Sequence, residues 1–173
     1  LKQKVLKVSY EHFEGNREEL DLTPYSLVVS SGWLYVVSPN AQGKLHPFRF
    51  ARLLSAEVTA TTFDYPSGGE YDPEALFRDS FGVFLNLPVQ DVRLLVDDRW
   101  RSFLRTHRWH PSQVMRPLAS GGVEVCFRVR VCRELKAWIL SLGPEVEVLE
   151  PEELRIWVAE RAKETVTRYA ARV

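Results

Sequence analysis

Five side chains between Trp33 and Arg52 carry the chemistry most open to a functional reading. Arg49 and Arg52 present guanidinium forks that match phosphate geometry and stay charged at any working pH. Trp33 and Tyr35 alternate with Leu34, so in a strand they share one face and Leu34 takes the other. His46 adds a donor that can reach a phosphate or stack on a base. A positive cluster beside flat rings suits an anion that itself carries flat rings. In single-strand binders each such ring contributes about 1–3 kcal/mol per stacked base. Each residue also has a plainer reading. The arginines can snorkel over the surface or pair with Glu18 or Glu19. His46 can be a satisfied strand histidine. For Trp33 core is the favoured reading, as most aromatics of small domains are packing, and for Tyr35 the two readings stay open.

The elements that hold these residues form a hairpin. A Ser31-Gly32 turn leads into Trp33–Ser38, and a Pro39–Gly43 turn leads into Leu45–Phe50. Before it, Lys4–Tyr10 alternates as a half-buried strand with Leu6, Val8 and Tyr10 inward. Glu14-Gly15-Asn16 is a turn. Arg17–Leu22 is a polar edge strand, Tyr25–Ser30 another strand, and Leu53–Thr62 a further one. Such a run of short antiparallel strands predicts a small closed barrel. Phe63–Asp72, with Pro66, Gly68 and Gly69, reads as a linker. Asp72 caps a helix running to about Phe81.

From Val89 the pattern changes. Val92–Val96 is a strand, Asp97-Asp98 caps a helix to about Arg105, and Gln113–Leu118 is a strand. Gly121-Gly122 turns into Val123–Cys132, whose alternation predicts one buried face and one wet face. Arg133–Leu142 is a helix with Leu135, Trp138, Ile139 and Leu142 inward, stopped by Gly143-Pro144. Val146–Leu149 and a long helix from Glu152 to about Ala171 complete the chain. The stripe of that helix runs through Leu154, Trp157 or Val158, Ala162, Val166 and Tyr169. This order predicts a ferredoxin-like α+β unit with an added helix.

The 173 residues suit one domain or two small ones. Composition, 45% hydrophobic and 27% charged, argues against disorder. Basic and acidic residues number 23 each, so any nucleic-acid contact must come from a local patch rather than a basic excess. No apolar run reaches membrane-spanning length. The chain opens on Leu1 within a strand-like pattern, which reads as a fragment. Other candidates are weaker. His107-x-x-His110 has metal-binding spacing, but Pro111 breaks the helix and no carboxylate follows. Cys126 and Cys132 lack metal spacing and an activating histidine, and they suit a reduced cytoplasmic protein. Arg128 and Arg130 either extend a basic groove or are solvated sheet residues. No nucleophile motif, phosphate loop or metal constellation occurs, so neither an enzyme nor a cofactor is expected.

The GWLYVV run followed by HPFRFARL resembles the WYL domain of bacterial transcription regulators. In that family a Gly-Trp-Tyr-Leu strand precedes an Arg-x-Phe-Arg-x-x-Arg segment. This chain has Trp33-Leu34-Tyr35 instead, and His46 stands at the first basic position. WHPSQ near Trp109, ELKAWILSLGPEVEVLEPEELR and the final helix resemble the C-terminal extension (WCX) that follows WYL. The resemblance implies an Sm-like (SH3-like) barrel over 1–62, a linker over 63–72 and an α+β extension over 73–173. It implies a ligand, single-stranded DNA or another nucleic-acid-derived signal, at Arg49, Arg52, His46, Tyr35 and Trp33. It also implies a homodimer, and promoter DNA bound only through an N-terminal winged helix-turn-helix outside this chain. A small-molecule sensor of a nucleotide or other anion, and a pure assembly module, are the alternatives.

Overall fold

In the computed structural model, which describes residues 3–119 and 121–170, the chain folds as two compact units that divide at Leu76/Phe77. The fold is mixed α+β and mostly strand.

The first unit has six strands: β1 Lys4–Glu11, β2 Arg17–Leu22, β3 Ser26–Ser30, β4 Trp33–Pro39, β5 Leu45–Arg49 and β6 Leu53–Thr62. They pair as two antiparallel three-stranded sheets, β2-β1-β6 and β3-β4-β5. Among the described residues the ladders do not close into one ring. β1 slips register against β6 between Ser9 and Tyr10, which marks a bulge and a local bend. Val8, Tyr10, Leu22 and Phe48 make the core, with Leu6, Leu20 and Leu53 packed against it. The β3–β4 turn is two residues long, because Ser30 pairs directly with Trp33. Ser31 and Gly32 both have positive φ, 51° and 78°, as a primed hairpin turn requires.

The stretch expected as a linker instead packs onto this unit. Tyr25 meets Phe63, Tyr65 and Tyr71 at centroid distances of 6.0, 5.6 and 5.3 Å. The Ser26 and Tyr71 hydroxyls also hydrogen-bond to each other.

A single helical turn, α1 Pro73–Phe77, lies at the division. It stops short of Phe81 because the following backbone has another partner. The Asp79 carbonyl accepts the Arg130 N–H at 2.8 Å, and Ser80 forms an isolated bridge with Arg130.

The second unit carries β7 Val89–Val96, α2 Arg101–Thr106, β8 Val114–Pro117, β9 Val123–Arg130, α3 Arg133–Ser141, β10 Val146–Glu150 and α4 Glu152–Ala170. Its antiparallel sheet runs β10-β7-β9-β8. In the unit's own strand count that is fourth, first, third, second: the ferredoxin-like order expected from the element pattern. Asp97 accepts the Arg99 N–H and caps a 3-10 turn ahead of α2. The core joins Val92, Leu94, Val123, Val125, Phe127 and Val129 of the sheet to Leu104, Leu135, Ile139 and Leu154 of the helices.

Two expectations need correction. The second face of β9 is not simply wet: Glu124 is buried, held by Arg93 at 2.6 and 2.9 Å. The stripe of α4 is buried only at its start. Leu154 is in the core and Trp157 and Val158 are half-buried, but Val166 and Tyr169 are exposed. At about 1.5 Å per residue, this 19-residue helix outruns the core that its first turns cover. Ala171, the expected helix end, lies outside the described residues.

Leu135→Ala should lower the unfolding free energy of the second unit by about 2–5 kcal/mol, because Leu135 is fully buried. Val166→Ala should change it by no more than about 0.5 kcal/mol. Urea titrations followed by tryptophan fluorescence and circular dichroism check both.

Candidate functional site

The β4–β5 ladder decides which candidate residues meet. Tyr35 lies opposite Arg49, Val36 opposite Phe48, Val37 opposite Pro47 and Ser38 opposite His46. Directly paired residues share a face, and a residue two along the strand lies diagonally within reach of a long side chain. Trp33, Tyr35 and Arg49 therefore lie together on one face. The Arg49 guanidinium carbon sits 3.5 Å from the centre of the Trp33 ring. That is a close cation–π stack, of a kind that contributes about 0.5–2 kcal/mol depending on exposure. Trp33 is 48% exposed, which corrects the expectation that it is core. Paired with Ser30, it closes the tight hairpin at the end of the sheet.

Arg49 is anchored from behind, its main-chain N–H donating to the Tyr10 hydroxyl at 3.2 Å. Its Nε is buried and makes no hydrogen bond. Among the described residues, neither Arg49 nor Arg52 forms an ion pair, with Glu18, Glu19 or any other carboxylate. Glu18 is bound to His12 instead, at 2.9 Å. The arrangement can offer an anion a guanidinium held by a ring and neutralised by no carboxylate.

Arg52 follows Arg49 across a 3-10 turn, Phe50–Arg52, and rests on a different ring. Its guanidinium carbon lies 5.4 Å from the centre of Phe13, at the tip between β1 and β2. Sequence reasoning passed over Phe13. The available signal was a phenyl group in a polar turn, His12-Phe13-Glu14-Gly15, where nothing in the chain pattern would bury it. Phe13 is exposed, so Arg52, like Arg49, rests on a ring that reaches the surface.

His46 does not join this group. It shares the Phe48 face of β5, with its ring 4.7 Å from the Phe48 ring, and Arg49 points from the other face. Burial pushes its imidazole below the usual value, and the charge of His12 adds to that.

The second unit's candidates are structural. His107 stacks on Phe103 at 5.5 Å and contacts Trp109 at 4.6 Å. His110 is buried, with Nδ1 2.8 Å from the Ser112 hydroxyl, and burial lowers its pKa. Burial raises the Cys126 thiol and pushes Cys132 to about 11, so neither is disposed to ionise. Arg128 faces Asp91 at 3.8 Å and Arg130 reaches the Ser80 hydroxyl at 3.4 Å. Among the described residues no histidine, cysteine and carboxylate group is arranged to hold a metal ion. No described helix is long and apolar enough to cross a membrane.

Comparison with known families divides the chain much as its fold does. Residues 1–58 match the WYL domain and residues 88–166 match the WCX domain. No curated protein shows a significant match. Among solved structures, proteasome accessory factor B/C (PafBC) of Arthrobacter aurescens is 24% identical over 92% of this chain and 24% of its own length, with a TM-score of 0.40. A CRISPR Cas-related protein is 13% identical over 99% of this chain and 49% of its own, with a TM-score of 0.58, a likeness of fold. The chain thus spans about a quarter and about half of these two proteins.

The lowered histidines give stability a pH dependence. The unfolded chain binds protons at about pH 6.5, and folded His46 and His110 bind them only at lower pH. Between those values the unfolded state holds more protons, so stability is full above about pH 6.5 and is lost as pH falls through the folded values. The urea midpoint should drop between pH 7.5 and 5.5, and His46→Gln or His110→Gln should each make that drop smaller.

Proposed function

We propose that this chain, a WYL domain followed by a WCX domain, is the ligand-sensing and dimerising portion of a bacterial transcription regulator. The signal is single-stranded DNA or another nucleic-acid-derived ligand, bound at Arg49, Arg52, Trp33 and Tyr35. One observation carries this reading: the Arg49 guanidinium stacked 3.5 Å over a half-exposed Trp33, with no carboxylate paired to it among the described residues. Arginine supplies the phosphate fork, and the aromatic surface supplies the platform on which a base can stack. The WYL and WCX matches support a binding role rather than a catalytic one.

The second unit joins two copies. The support is the exposed apolar pair Val166 and Tyr169, one turn apart on α4, surface that association would cover. Ligand shifts the population between two arrangements of the dimer by binding one more tightly, and so alters the spacing of DNA-binding regions carried elsewhere in the full protein.

Fluorescence anisotropy with a labelled single-stranded oligonucleotide tests the site. Arg49→Ala should weaken binding and flatten the log–log salt slope by about 0.7, the value of one phosphate contact to a single strand. Tyr35→Ala should weaken binding without changing the slope. Unchanged affinity and slope in the Arg49→Ala, Arg52→Ala double variant would sink the assignment. A mononucleotide bound as tightly as the oligonucleotide would replace it with a small-molecule sensor. Multi-angle light scattering should give the mass of a dimer at micromolar concentration, and the monomer mass of 20.0 kDa would refute the dimer.

A further inference from the structure

Phe13 stands on the turn between β1 and β2. Two hydrogen bonds close that turn: the Gly15 N–H donates to the His12 carbonyl at 3.0 Å, and the His12 N–H donates to the Asn16 carbonyl at 2.8 Å. The His12 side chain braces it further, bonding Glu18 at 2.9 Å and meeting the Tyr10 ring edge-on at 5.2 Å. Phe13 is thus carried on a fixed turn, yet its own side chain is 71% exposed. A single exposed apolar side chain is ordinary. What sets this one apart is the Arg52 guanidinium, whose carbon lies 5.4 Å from the ring centre, within the roughly 6 Å reach of cation–π attraction.

The pair repeats the chemistry of Arg49 on Trp33, with a ring from the other sheet. Trp33 opens β4, and Phe13 follows β1. A 3-10 turn, Phe50–Arg52, joins the two arginines. At a rise of about 2.0 Å per residue their Cα atoms lie roughly 6 Å apart. Both side chains leave the core, because Phe48 beside Arg49 and Leu53 beside Arg52 are the neighbours that pack inward. The carboxylates of the adjoining ladder are engaged elsewhere: Glu11 accepts from Arg17 at 3.3 Å, and Glu18 is bound to His12. Two guanidiniums, each held by its own ring, therefore flank one short turn.

We infer that Phe13 is a ligand-contacting residue. Its ring and the Arg52 guanidinium form a second nucleotide subsite, in which the ring stacks a base and Arg52 grips a phosphate. The inference rests on the nucleic-acid reading above and adds the length that the ligand must have. Guanidiniums held on separate rings need separate phosphates, so the ligand has at least two nucleotides joined in one strand. A mononucleotide fills only one subsite.

Fluorescence anisotropy of the full chain with a labelled oligothymidylate tests it. Phe13→Ala should weaken binding at least about fivefold, the effect of losing one stacked base, and leave the salt slope unchanged. Phe13→Trp should bind at least as tightly as the parent. In competition, a thymidine dinucleotide with two phosphates should outdo thymidine monophosphate on the parent. That advantage should vanish in a Phe13→Ala, Arg52→Ala double variant. Because Phe13 is exposed, Phe13→Ala should keep the unfolding midpoint of the parent. If Arg49→Ala weakens binding and Phe13→Ala does not, the second subsite is refuted while the nucleic-acid reading stands. If neither weakens it, that reading has itself failed. A Phe13→Ala loss that flattens the salt slope as Arg52→Ala does would make the ring a prop for Arg52, and overturns the stacked base. Equal competition by the dinucleotide and the mononucleotide on the parent overturns the length requirement.

Discussion

The register of the β4–β5 ladder is the constraint on which the first unit's chemistry depends. Because side chains alternate faces, a slip of one residue would exchange every inward side chain for an outward one. Three features hold the register. The turn between β4 and β5 is closed by the Asn40 N–H donating to the Lys44 carbonyl at 2.8 Å, with Asn40 Oδ1 accepting from the Gln42 and Lys44 N–H groups. Phe48, opposite Val36, is locked into the core by the edge of Tyr10, 5.4 Å away. The Tyr10 hydroxyl then accepts the Arg49 N–H, so the residue that fills the core also fixes the backbone of the residue that carries the charge. Arg49 can reach Trp33 only because Phe48 is turned inward.

The second unit solves a different problem, burial on both faces of one strand. β9 places Val123, Val125, Phe127 and Val129 against the helices. Its other face carries Glu124, whose side chain is only 9% exposed. A carboxylate so placed needs partners, since removing them would leave an uncompensated charge. Arg93 supplies two hydrogen bonds and reaches on to Glu150, while Arg116 lies 3.7 Å from the second oxygen. Arg93 is itself 43% exposed, so solvent screens the network and its net stabilisation is modest. Its structural effect is to tie β10, β7, β9 and β8 together across the sheet.

The sequence disclosed most where periodicity and packing coincide. The β9 alternation, the Leu135–Ile139 stripe and the strand–helix order led to the ferredoxin-like sheet because burial enforces each. It disclosed less where tertiary partners override local preference. Phe63–Asp72 has linker composition, but its tyrosines find Tyr25, a contact that no local pattern reveals. The stripe of α4 reads as core through Tyr169, yet a helical stripe records which face is apolar and not how far the core extends. In the site, the Trp33–Tyr35 alternation correctly set the face that Arg49 joins. Arg52 finding Phe13 depends on the β1–β2 tip meeting the β5–β6 connection, a long-range closure that spacing cannot encode. His46 and Arg49 are three residues apart, and in a strand an odd separation means opposite faces, so parity alone was enough to part them.

Neutral net charge takes on a definite meaning in this setting. With 23 basic and 23 acidic residues, the chain has no long-range field to draw a polyanion toward it, and selectivity must be built at contact distance. At physiological ionic strength, charges on exposed side chains are screened beyond about 8 Å, so sites of opposite sign can coexist on one small unit if the sheet separates them. β5 does this with consecutive side chains: Phe48 turns with His46 toward the side where the His12–Glu18 pair lies, and Arg49 turns toward Trp33. One strand thus divides a face that carries the His12–Glu18 pair from a basic aromatic surface. The division rests on pleat geometry and needs no excess of either charge.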